Sequence, residues 1–250
     1  MSRHRSYTPR AITLVVALLG CISCDETESS SAAEAGNDIL FVGNSFTYYN
    51  NSLHNHYRRL LRGLSEPVEP GTVRAKTISG GRLPEHGAGL LSMLDGESWD
   101  IVILQGHSRV PLEDDTEAGL RSAAETYAES IRDAGAEPVL FMTWAYTDRP
   151  EMTDRIDAIY SSLGEELGAK VAPVGLAFAA VTDARPEIAL RTDDRRHPSL
   201  AGTYLAACVF VAVLRGESPE GNNYVADLDP DVAAFLQSAA WQTVQQYNAR

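Results

Sequence analysis

Cysteine is scarce in this chain and poorly placed for cross-linking. Of three in 250 residues, Cys21 and Cys24 lie near the amino terminus and Cys208 stands alone in an apolar run, so a folded body has no disulfide framework to draw on. The apolar stretch Ala11–Gly20 is too short to span a bilayer comfortably. Basic residues are outnumbered 21 to 34, for a net charge of −13, which leaves no electrostatic footprint for nucleic acid. The glycine patterns of a phosphate-binding loop and of a dinucleotide fingerprint are missing. So is the nucleophile elbow Gly-x-Ser-x-Gly, which argues against the α/β-hydrolase route to ester chemistry. No set of His, Cys and carboxylates at ligand spacing points to a metal. No metal or organic cofactor is expected, and no internal repeat is found.

What is present begins with a leader. Arg3, Arg5 and Arg10 precede Ala11–Gly20, a secretory pattern that directs export. Leu18-Leu19-Gly20-Cys21 resembles the bacterial lipobox, which implies cleavage after residue 20 and acylation of Cys21, with Cys24 a second candidate. An ordinary cleaved signal is the alternative. Residues 21–37 are rich in Ser, Glu and Ala with no aromatic, a composition that cannot bury enough surface to order itself. They read as a flexible tether. The expected products are an exported lipoprotein held to a membrane only by its anchor, and a body spanning 38–250. With 44% hydrophobic residues, the chain can build one substantial core.

Within that body strands and helices alternate. Ile39-Leu40-Phe41-Val42 has strand character and stops at Gly43. An apolar stripe of Leu53, Tyr57, Leu60, Leu61 and Leu64 follows at helical spacing. Strands are expected at Thr72–Ile78, Trp99–Leu104, Val139–Thr143 and Lys170–Val174. Helices are expected through Leu120–Ile131, closed by Gly135, and Met152–Leu167, closed by Gly168. Leu200–Leu214 reads as a buried helix, and Asp229-Pro230 as the cap and first turn of a closing helix through Gln246. This order predicts a three-layer α/β/α sandwich with a central parallel sheet, flavodoxin-like in type.

Chemistry concentrates at two places. Gly43-Asn44-Ser45-Phe46-Thr47 sets a hydroxyl just past a strand's carboxyl end, where ligands bind in open α/β sheets. A plain helix cap at Ser45 or Thr47 is the other reading. Asp194-Arg195-Arg196-His197 places a carboxylate three residues before an imidazole. A serine hydroxyl needs an imidazole to take its proton, and a carboxylate fixes that imidazole's tautomer. Ser45, His197 and Asp194 can fill those roles. A surface ion pair and half of a metal site are the competing readings of Asp194 and His197.

These blocks resemble those of the SGNH (GDSL-like) hydrolases, across residues 38–215. Gly43–Thr47 is similar to the first block, Ser79-Gly80-Gly81 to the second and Asp194-x-x-His197 to the last. The third departs from the pattern: Gln105-Gly106-His107-Ser108 replaces Gly-x-Asn-Asp. It resembles instead the Gln-Gly-Glu-Ser of sialate O-acetylesterase-like carbohydrate esterases. The resemblance implies an oxyanion hole formed by the Ser45 N–H, the N–H of Gly80, with Gly81 the alternative, and the Gln105 amide. His107 reads either as a pocket-lining residue or as an ordinary polar loop residue. Trp144 and Tyr146 could bring aromatic faces to the rim for sugar stacking, and His54, His56 and His86 read as solvated or capping residues.

The combined expectation is a serine esterase that removes a short acyl group, most plausibly acetyl, from a small acyl ester or an acylated glycan. The alternatives are a lysophospholipase or thioesterase of the same fold and a non-catalytic glycan-binding lipoprotein. A phosphate or nucleotide binder ranks last.

Overall fold

A computed structural model describes residues 1–2 and 37–250. The signal, Cys21, Cys24 and nearly all of the tether lie outside the described residues. Five parallel strands form the sheet: β1 (Ile39–Gly43), β2 (Val73–Thr77), β3 (Ile101–Gln105), β4 (Glu137–Phe141) and β5 (Lys170–Ala172). Their spatial order is β2-β1-β3-β4-β5. All five residues of β1 and of β3 are buried, as strands covered on both faces must be.

The helices are α1 (Ser45–Tyr48), α2 (Leu53–Gly63), α3 (Gly87–Gly96), α4 (Asp114–Asp133), α5 (Met152–Leu167), α6 (Val174–Ala184), α7 (Leu200–Arg215) and α8 (Pro230–Asn248). Parallel crossovers are right-handed. The step from β1 to β2 runs opposite to those from β2 to β3, β3 to β4 and β4 to β5. Hence α2 covers one face, and α3, α4 and α5, which pack in series, cover the other. The chain then returns to the α2 face, where α7 packs against α2, α6 and α8. The outcome is a three-layer α/β/α sandwich.

The apolar helix α7 anchors its layer. Residues 201–212 are buried without interruption, and the Phe210 ring meets Phe41 of β1 at 5.2 Å and Phe141 of β4 at 5.1 Å, both edge to face. Removing such an aromatic from a packed core costs about 3–5 kcal/mol. Cys208 is part of this packing, buried and reduced.

Two elements depart from expectation. The fifth strand ends at Ala172, because Pro173 caps a helix that begins at Val174; Lys170–Val174 is therefore not all strand. Helix α3 was not legible either. With three glycines and only Leu90 and Leu94 buried, it has almost no periodic signal.

Between β1 and β3 the winding direction reverses. At such a switch point the loops leaving the two strands diverge and open a crevice at their carboxyl ends. Ser45 follows β1, and Gln105 ends β3.

Candidate active site

The turn after β1 is organised by Asn44. Its side-chain oxygen accepts from Phe46 N at 3.1 Å, capping α1, and its amide donates to Gly81 O at 3.1 Å. Asn44, and not Ser45 or Thr47, is thus the cap, which frees the serine hydroxyl for other work. Ser45 is 8% exposed.

Gln105 completes a buried network beneath the serine. Its carbonyl oxygen accepts from Asn44 N at 3.2 Å and from the Thr47 hydroxyl at 2.7 Å. Its amide donates to Asn44 Oδ1 at 2.7 Å and to Gly106 O at 3.0 Å. The Asn44 N–H can only donate, so the carboxamide is oriented unambiguously, and both of its hydrogens are consumed. Against the expectation of an oxyanion donor at Gln105, in this structure the side chain clamps the turn from below. The clamp also explains Gly43. A β-carbon there would lie 2.4 Å from Gln105 Oε1 and 2.6 Å from Thr47 Oγ1.

Two backbone donors remain open. Neither Ser45 N–H nor Gly80 N–H has an internal acceptor among the described residues. Gly80 is exposed, with φ of +64°, a conformation that glycine adopts without steric cost. The Ser79–Gly81 turn is drawn toward the serine turn by Asn44, by Ile78 N donating to Gly43 O at 3.0 Å, and by a 3.0 Å hydrogen bond between Tyr48 OH and Ser79 Oγ. Gly81 N is spent inside its own turn on Ile78 O.

His197 and Asp194 reach the serine from a separate loop. His197 Nε2 lies 2.9 Å from Ser45 Oγ, and its Nδ1 is hydrogen-bonded to Asp194 Oδ2. A carboxylate on Nδ1 favours the tautomer with its proton there, which leaves Nε2 as the acceptor for the serine proton. Asp194 Oδ1 in turn accepts from Arg196 N, His197 N and Thr192 Oγ1, each at 2.9 Å. Partial burial works against the charged carboxylate, but the His197 ring, those two amides and the Thr192 hydroxyl outweigh it. The carboxyl is held well below the usual carboxylate range. The competing reading of Asp194 and His197 as an ion pair open to solvent overlooks the serine on the other ring nitrogen.

Sequence reasoning missed the residues that aim this loop. The Tyr49 ring stacks on the His197 imidazole at 4.4 Å and 7°, and Phe46 meets it edge-on at 5.8 Å. Asn50 donates to Pro198 O at 2.9 Å and to Thr203 Oγ1 at 2.8 Å. Asn50, Asn51 and Ser52 all have positive φ, which costs energy for side-chain-bearing residues. His56 supports the bend: its Nε2 donates to Asn50 O at 2.6 Å, while its Nδ1 accepts from Tyr224 OH at 2.9 Å. Runs of positive φ and partners 148 or more residues apart leave little trace in local patterning.

Other expectations change. Trp144 is fully buried, stacked between Phe46 at 4.3 Å and Phe178 at 4.2 Å, and its indole donates to Arg196 O at 2.9 Å. It holds the histidine loop from inside and offers no face to a sugar. Tyr146 is 5% exposed, its hydroxyl bonded to Ser108 Oγ at 2.9 Å. His56 and His86 are buried, not solvated, and His86 has no hydrogen-bond partner on either nitrogen among the described residues. Burial lowers the pKa of both. His54 bonds Ser52 Oγ at 2.7 Å. His107 Nδ1 accepts from Arg109 N at 3.2 Å, a local loop contact. Among the described residues no three His, Cys or carboxylate groups are arranged to hold a metal ion.

A hydroxyl, an imidazole and a carboxylate in series at the switch point of a 2-1-3-4-5 parallel sheet define a class of architecture. Comparison with known proteins identifies it as the SGNH hydrolase fold. A "putative SGNH hydrolase" from Slackia heliotrinireducens is 28% identical over 72% of this chain and 99% of its own, with a TM-score of 0.60. A DUF4886 family protein from Bacteroides uniformis superposes with a TM-score of 0.66 at 18% identity, covering 84% of this chain and 95% of the other. An acetylxylan esterase from Geobacillus stearothermophilus gives 0.57 at 16% identity, over 73% and 95%. No family model matches the sequence, and no curated protein does.

Proposed function

We propose that this protein is a serine esterase that removes short acyl groups, acetyl above all, from carbohydrate through an acyl-enzyme on Ser45. The observation that carries the reading is the 2.9 Å approach of His197 Nε2 to Ser45 Oγ with Asp194 on the opposite ring nitrogen. In the reaction Ser45 Oγ attacks the ester carbonyl while its proton passes to His197 Nε2. The negative oxygen of the tetrahedral intermediate accepts from the open N–H groups of Ser45 and Gly80. Collapse expels the alcohol, which takes the proton from His197. Water then attacks the acyl-enzyme with His197 again as base, and the carboxylic acid leaves. Asp194 stabilises the transient imidazolium throughout. Losing one preorganised oxyanion donor costs on the order of 3 kcal/mol in such systems.

Short acyl groups are favoured by the confinement of the serine, 8% exposed and flanked by buried Phe46. The structural likeness to an acetylxylan esterase supports acetyl on a glycan. A fluorophosphonate probe should add to Ser45 and to no other residue, as read by mass spectrometry. Ser45→Ala should lose both labelling and hydrolysis of a chromogenic acetate, and rates should fall steeply from acetate to longer chains. Wild-type protein that neither labels nor hydrolyses overturns the reading in favour of a binding protein, whereas a preference for long chains favours a lipid esterase. Export and lipid attachment at Cys21 belong to the same proposal. Incorporation of labelled fatty acid should be lost in Cys21→Ala and kept in Cys24→Ala.

A further inference from the structure

The loop that carries the histidine contributes Arg196 to a cavity of about 350 Å³ lined also by Arg109, Leu112, Tyr146, Asp148 and Arg149. Its charge runs against the rest of the molecule. Carboxylates outnumber cations 34 to 21 in the chain, yet here arginines outnumber carboxylates three to one. The three come from separate segments: Arg109 from the loop after β3, Arg149 from the loop after β4, and Arg196 from the histidine loop.

Two of the three are available. Arg149 makes no ion pair among the described residues, and Arg196 lies over the Tyr146 ring at 4.9 Å without a carboxylate partner. Arg109 is paired with Glu113. The one carboxylate of the lining, Asp148, is drawn toward Arg195 at 3.5 Å. The frame is fixed: Trp144 Nε1 holds Arg196 O at 2.9 Å, Thr147 N donates to Arg195 O at 3.0 Å, Arg191 Nε donates to Ala145 O at 2.7 Å, and the Tyr146 hydroxyl bonds Ser108. Guanidinium forks on a rigid frame suit planar or tetrahedral oxyanions.

Position decides which half of a substrate meets them. His197 hands its proton to the leaving alcohol, so the alcohol lies on the imidazole side, and Arg196 is the adjacent residue. We propose that the cavity is a subsite for an anionic group on the alcohol half of the ester, which makes the preferred substrates acylated acidic sugars. This rests on the esterase reading only for the orientation of the substrate. A chain of net charge −13 repels an anion at long range, and a local cationic cavity compensates where the ester must dock.

The test compares acetate release from O-acetylated methyl glucuronide, its neutral glucoside counterpart, and O-acetylated glucose 6-phosphate. The wild-type kcat/KM should favour an anionic substrate by on the order of tenfold, mainly through KM, with the preference shrinking as salt is raised. The glucuronide and phosphate arms separate a carboxylate site from a phosphate site. Arg149→Gln should bring the anionic-to-neutral ratio toward one, and Arg149→Glu should invert it. Equal use of charged and neutral substrates by the wild type, or a preference unmoved in Arg149→Glu, overturns the proposal. Calorimetric titration of Ser45→Ala with glucuronate and with glucose 6-phosphate, against glucose, reads the subsite without turnover. Anion binding by a protein that hydrolyses none of the esters would retain the subsite and sink the esterase; hydrolysis without anion preference would do the reverse.

Discussion

The two halves of the relay are built by opposite means. The serine turn is buried and held from within: Asn44, Thr47 and Gln105 are each 3% exposed or less and satisfy one another in a closed network. The histidine loop is exposed from Asp193 to Arg196 and is held at separate points, by Trp144 from inside and by Asn50 and the ring of Tyr49. A fully satisfied buried network is bound up with the stability of the fold, because any missing partner strands a polar group away from water. Tethers on an exposed loop fix a direction while contributing little to the whole. The serine half should therefore fail by unfolding, and the histidine half by losing aim.

The largest effect that sharpens this contrast is expected at Asp194→Asn. An asparagine oxygen can still accept from Arg196 N and His197 N, so the loop keeps its shape. Its amide no longer accepts from Nδ1–H, which favours the tautomer unable to take the serine proton. Turnover should drop about 10³- to 10⁴-fold, with thermal stability little changed because the side chain is 46% exposed. The pH dependence has a definite sign. A carboxyl held below its ordinary range contributes stability above that range and loses it as pH falls through the lowered value. Any stability gap between wild type and Asp194→Asn should thus be full at neutral pH and close only below about pH 4.

Gln105→Leu should do the reverse. It strands the Asn44 N–H and the Thr47 hydroxyl, and should cost about 2–4 kcal/mol in chemical denaturation. Activity per folded molecule should fall less than in Asp194→Asn. A stable Gln105→Leu protein with abolished turnover would break the comparison and restore the amide as an oxyanion donor.

A smaller effect is expected at Asn50→Gly. Glycine keeps the positive φ without strain but removes both donors to the histidine loop. A loss of roughly tenfold in kcat, worth about 1.4 kcal/mol of aim, should come with a minor change in denaturation midpoint.

Much of this architecture was legible in the sequence, and the boundary of legibility is physical. Strands buried on both faces, such as Ile39–Gly43 and Ile101–Gln105, announce themselves as continuous apolar runs. The amphipathic α2 and α5 do so by period. Helix α6 did not, because an apolar segment that follows directly on a strand reads as its continuation until Pro173 is given weight. At the site, Ser45, Asp194 and His197, which the fold brings within hydrogen-bond reach, were singled out because the chemistry needs those residue types and two short segments supply them. The clamp made by Gln105 was not legible because its partner Asn44 lies 61 positions away, and a carboxamide serves equally well as donor or clamp until its neighbours are known. Tyr49, Asn50 and the arginine cavity were invisible for the same reason: each depends on loops that only the fold brings together.

The central claim is that one acyl group passes through the hydroxyl of residue 45. Acid quenching during turnover of a radiolabelled acetyl ester, followed by peptide mapping, tests it directly. The account predicts label on the Ser45 peptide, formed in an initial burst and absent from His197→Ala. Steady hydrolysis with no labelled peptide, or with label on another residue, would contradict it.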